Sequence, residues 1–97
     1  EQAQTPELHS ALLTLQASMT EDPEEAIALV RAALVEHPRN YPALVKITEL
    51  YVDQRELRKA SLYLKQAIAL DPNNAALRVQ LQSIEKALGT RDTQDSP

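Results

Sequence analysis

The segment AIALVRAALVEHP, residues 26–38, returns in altered form as ASLYLKQAIALDP, residues 60–72. Each copy opens on a small residue (Ala26, Ala60), places an aliphatic one turn later (Val30, Leu64) and a second alanine beyond it (Ala33, Ala67), and closes on proline. Pro38 and Pro72 set the period at 72 − 38 = 34 residues. A self-similar unit of that length cannot bury its apolar face alone, so neighbouring copies stack and share one continuous core. The period therefore points to a helical array before any single residue points to chemistry.

Outward from these segments, capping chemistry predicts five helix starts. A short polar side chain accepts a free backbone N–H at a helix entrance, and proline fits the first turn because its missing N–H has no partner there anyway. Thr5-Pro6-Glu7 opens the first helix and Asp22-Pro23-Glu24-Glu25 the second, with Glu25 placed as in a capping box. Asn40 opens the third, the polar break Gln54–Glu56 precedes a fourth near Leu57, and Asn74 opens a fifth that is expected to stop at Gly89 in a left-handed cap. Apolar residues recur at helical spacing throughout: Leu13 and Ala17; Ile27, Val30 and Leu34; Leu44, Ile47 and Tyr51; Leu64 and Ile68; Leu77, Leu81, Ile84 and Leu88. Nothing alternates with period two. Connections of a few residues force consecutive helices antiparallel, so the fold class is all-α, a stack of helical hairpins with five helices.

Composition narrows the function. The chain has 97 residues, 43% hydrophobic and only 3% aromatic, which suits one small domain with a core of Leu, Ile, Val and Ala. Its net charge of −4, with basic residues scattered among acidic ones, argues against nucleic acid as a partner. A single glycine rules out phosphate-cradling loops, and the lack of cysteine rules out disulfides and thiolate metal sites. No apolar run approaches the ~20 residues of a membrane span.

At Leu44-x-x-Ile47-Thr48-x-x-Tyr51, followed by Ala60, Leu64, Ala67 and Pro72, the sequence resembles the tetratricopeptide repeat family. A weaker copy runs through Ser10, Leu13, Thr14 and Ala17 to Ala26, Val30, Ala33 and Pro38. The resemblance implies a right-handed superhelical stack: a leader over 1–6, a first repeat over 7–40, a second over 41–74, a capping helix over 75–89 and a disordered tail over 90–97. The chain departs from the family at Thr14, Thr48 and Gln82, where glycine is usual, and at Ser10, Leu44 and Arg78, where a large aromatic is usual. Arg78, Gln82 and Glu85 would give the last helix a polar outer face, as a capping helix requires.

On the first helix Leu8, Leu12, Leu15 and Met19 follow a spacing of four, three and four, and form one stripe apart from the core positions. In a stack of hairpins this stripe faces the concave groove. With Ala11, Val45, Lys46, Glu49, Val52 and Gln80 it makes up the candidate partner-binding surface. The expected function is a protein–protein interaction module that takes a peptide or an amphipathic helix in this groove. The alternative is a homodimerisation domain of a larger protein, paired through the stripe; an upstream segment is a third possible occupant.

Chaperone-binding members of the family grip a peptide carboxylate with Lys, Asn and Arg. The corresponding places here hold Ala11, Leu15, Lys46, Ala76 and Gln80, so a carboxylate clamp is not expected and an apolar or mixed peptide is. His9 and His37 have no second ligand at metal spacing, and Glu21, Asp22, Glu24 and Glu25 are explained by the helix dipole. Arg55, Arg58, Lys59 and Lys65 read as a solvated convex face. Tyr41 and Tyr63 are expected at the groove rim and Tyr51 in the core. No nucleophile–base arrangement can be assembled, so neither an enzyme nor a cofactor is expected.

Overall fold

The computed structural model describes the backbone of residues 5–95 and the side chains of residues 5–89. Five helices follow one another: α1 (Pro6–Met19), α2 (Pro23–Glu36), α3 (Tyr41–Asp53), α4 (Leu57–Leu70) and α5 (Ala75–Asp95). Helices α1 with α2 and α3 with α4 form antiparallel hairpins, α5 packs on α4, and α3 contacts both α2 and α1. The result is a superhelical stack of two hairpins and a fifth helix.

Four of the entrances carry the expected caps. The Thr5 hydroxyl accepts the Leu8 N–H at 3.1 Å, and the Asn40 side-chain carbonyl accepts the Ala43 N–H at 3.1 Å. Asn74 accepts from Ala76 and Leu77. Asp22 caps α2 through the N–H of Glu24 rather than that of Glu25, one position earlier than a capping box would have it. Helix α4 begins without a side-chain cap at Glu56. What fixes its direction is the end of α3, where Arg55 takes the left-handed conformation (φ 63°). The N–H groups of Arg55 and Glu56 then reach back to the carbonyls of Val52 and Tyr51 at 3.0 and 2.9 Å. That is a Schellman closure with arginine in the place glycine normally fills.

One predicted boundary is corrected. Helix α5 runs through Gly89 to Asp95, and Gly89 is not in the left-handed region. A Cβ built at Gly89 would meet nothing within 4 Å, so no close approach calls for glycine there. Glycine inside an exposed helix costs about 1 kcal/mol relative to alanine, which weakens a helix without breaking it. The predicted tail over 90–97 is thus helical to residue 95, and its last two residues lie outside the described ones, as do residues 1–4 of the leader.

The core follows the repeat. Ala26, Val30 and Ala33 of α2 and their counterparts Ala60, Leu64 and Ala67 of α4 are all buried, together with Leu44, Ile47 and Tyr51 of α3. Small alanines let the paired helices approach, and the aliphatics between them fill the space. Leu77 and Ile84 of α5 close the far side. On the outer surface of α5, Arg78, Gln82 and Glu85 are exposed, and the Arg78 guanidinium turns back to donate to the Pro72 carbonyl.

Between the two hairpins a polar cluster sits within the apolar core. Asn40, buried at the start of α3, donates one amide hydrogen to Ser10 Oγ at 2.7 Å and the other to Thr14 Oγ1 at 3.2 Å. Ser10 donates onward to the Ala33 carbonyl at 2.6 Å, and Thr14 to the Ser10 carbonyl at 2.9 Å. Each hydroxyl and both amide hydrogens have partners, so the group is a satisfied network rather than a buried penalty. It ties α1, α2 and α3 together at one point.

Candidate functional site

The concave side of the stack is a trough of about 650 Å³ bounded by α1, α3 and the start of α5. Leu15 of α1 faces Pro42, Val45 and Tyr41 of α3, and Leu77 closes the end beside Asn74. Lys46 and Glu49, adjacent on α3, supply one charge of each sign, while Thr14 and Ser18 of α1 line the wall opposite. Apolar walls with a few polar groups are the usual makeup of a peptide-sized site.

The sequence-predicted residues divide. Leu15, Val45, Lys46 and Glu49 line the trough. Leu12 and Met19, again with Leu15, line a second, smaller depression with His9, Leu13 and Gln16 on the outer side of α1. Leu8 and Ala11 are exposed on α1 but line neither depression, and the half-buried Val52 packs against the core. Gln80 is half-buried and also lies outside both. The stripe stays exposed along its length: Leu8 is 48%, Leu12 41%, Leu15 58% and Met19 82% accessible. A helical stripe spans a wide arc, so its members straddle an edge with Leu15 at the crest.

Tyr41, Asn74 and Leu77 are trough residues that the sequence reading assigned chiefly to rim, cap and core. The repeat held the signal for one of them. Asn74 stands one period after Asn40, where a side chain bridges successive hairpins. In the second copy the bridge is half-buried: the Tyr41 phenol donates to Asp71 Oδ2 at 3.1 Å, and Asn74 donates to the same carboxylate at 3.1 Å. Tyr63 is not at the rim of the trough. Its ring stacks on Tyr51 with centroids 5.9 Å apart, and Lys59 lies over the Tyr51 ring at 5.5 Å.

Desolvation against the trough wall raises the Tyr41 phenol above its ordinary value, and the bond to Asp71 adds to this while Asn74 partly offsets it. Because the folded state holds this proton more tightly, the stabilising contribution is present below the unfolded value near 10 and is lost as pH rises through the folded one. Titration of tyrosine absorbance should show a component ionising above the ordinary range, and Tyr41→Phe should remove that component.

Among the described residues no group of three His, Asp or Glu side chains is placed to hold a metal ion, and no helix is long and apolar enough to cross a membrane. His9 sits 3.5 Å from Glu36 at the surface, and Lys65 reaches Glu85 at 3.8 Å across α4 and α5. A family model described as "Tetratricopeptide repeat" matches residues 17–82, more than half of the chain. No curated protein matches it.

Proposed function

We propose that this chain, which belongs to the tetratricopeptide repeat family, is a protein-binding module that takes an apolar or mixed peptide segment, helical or extended, into the trough between α1, α3 and α5. The observation that supports the reading is the trough itself. Leu15, Val45, Pro42 and Leu77 offer apolar walls, and Lys46 and Glu49 sit beside them as polar points that would fix a ligand's direction. The trough has a single lysine, so affinity would come mainly from apolar anchors, with Lys46 selecting a carboxylate near one of them.

Peptides selected from a random display library on the immobilised chain provide the test. They are expected to lose roughly tenfold to a hundredfold in affinity on Leu15→Glu or Val45→Asn, the loss of about 1.5–3 kcal/mol that removing one buried aliphatic contact implies. Leu62→Glu on α4, an exposed position outside the trough, should leave affinity unchanged. Selected peptides that bind all three variants as they bind the parent would overturn the reading. Circular dichroism establishes that each variant is folded.

A further inference from the structure

We propose that the apolar row on α1 seats a second copy of this chain, with the two α1 helices antiparallel about a two-fold axis between Leu13 and Thr14. Leu8 then lies against Met19 of the second copy, and Leu12 against its Leu15. The inference does not depend on the trough as a peptide site, with which it shares Leu15 and the flanking Ser18.

Three features select this occupant. The spacing of Leu8, Leu12, Leu15 and Met19 is that of a heptad seam, and antiparallel pairing matches each of the four with a large apolar partner. The row is therefore its own complement, as an isologous interface requires. Second, residues 8–20 contain no Asp, Glu, Lys or Arg, so two chains of net charge −4 meet through a stretch without opposed like charges. A partner chosen by charge finds nothing there to recognise. Third, the seam is flanked by small Ala11 and Ser18 on one side and by His9 and Gln16 on the other, all exposed, which allows close approach and hydrogen bonding between copies.

Helix α1 has 14 residues, and at 1.5 Å per residue it is about 21 Å long. One helix pair of that length buries less than the ~800 Å² per partner of a standard interface, so the association is weak and shows only at high protein concentration.

Sedimentation equilibrium of the full chain, carried into the millimolar range, should show the mass rising from 10.8 kDa toward twice that value. Met19→Glu should hold it at the monomer value with helicity unchanged, whereas Val45→Asn in the trough should not alter the rise. The natural chain has no cysteine, so orientation can be tested by crosslinking. Leu8→Cys mixed with Met19→Cys should form a disulfide-linked pair. Leu8→Cys alone should not, because its two copies are offset by 11 residues, about 16 Å along the helices. A monomer mass at every concentration would overturn the proposal and return the row to a different protein. Self-crosslinking of Leu8→Cys as fast as in the mixture would overturn the antiparallel pairing.

Discussion

Asn40→Ala is expected to destabilise the fold by about 2–4 kcal/mol, more than an ordinary cap substitution of ~1 kcal/mol. The excess comes from what the change leaves behind. Asn40 caps α3 through Ala43 and also supplies hydrogens to Ser10 and Thr14, both buried. Without it, two hydroxyl oxygens lose their donor in a place where water does not replace it easily. A domain of this size has a total stability of roughly 5–15 kcal/mol, so the midpoint of urea unfolding should fall by a large fraction. Asn40→Asp isolates the cause, since the carboxylate still caps α3 but cannot donate to either hydroxyl. It should cost at least as much at neutral pH and regain part of the loss in acid, where a protonated carboxyl again offers a hydrogen. A loss of 1 kcal/mol or less for Asn40→Ala would mean that the network contributes nothing beyond the cap.

Leu44→Ala should cost about 2–5 kcal/mol, the range for removing a buried leucine side chain. Leu44 is 1% exposed on the central helix, which packs on α1, α2 and α4. A cavity there loosens both hairpins at once, so unfolding is expected to remain a single transition at a lower midpoint. Leu44 stands one period after Ser10, and the two positions meet the same packing demand by different means. Ser10→Ala, which removes one hydroxyl and its bond to the Ala33 carbonyl, is the smaller change that calibrates the comparison. Chemical denaturation monitored by circular dichroism measures both.

The helices were legible because their ends are written locally. Thr5-Pro6, Asp22-Pro23, Asn40 and Asn74 each solve the same problem of unsatisfied N–H groups, and a side-chain cap forms at each entrance, although Asp22 bonds Glu24 and not Glu25 as a capping box would. Gly89 misled for an equally local reason: a glycine before a polar stretch looks like a stop, yet nothing in the fold draws the backbone into the left-handed region there. At Arg55 the opposite holds, since the chain reverses on a residue that local preference would not choose. The Asn40 network was invisible in the sequence because its members lie up to 30 residues apart and carry no shared spacing. The stripe on α1 was found whole, but its division between trough and outer side depends on the angle at which α1 meets α3. Periodicity gives the width of a face and not the direction in which its edge points.

The two ends of the stack differ in kind, oily along α1 and mainly hydrophilic on the outer surface of α5, where Arg78, Gln82 and Glu85 meet solvent around a single exposed valine, Val79. Growth by adding one molecule's tail to the next one's head would press Arg78 and Glu85 against hydrocarbon, at the desolvation cost of each charge. Joining through α1 uses the oily end of both molecules and leaves the mainly hydrophilic ends outward. Assembly of that kind stops at two and does not run on into fibres.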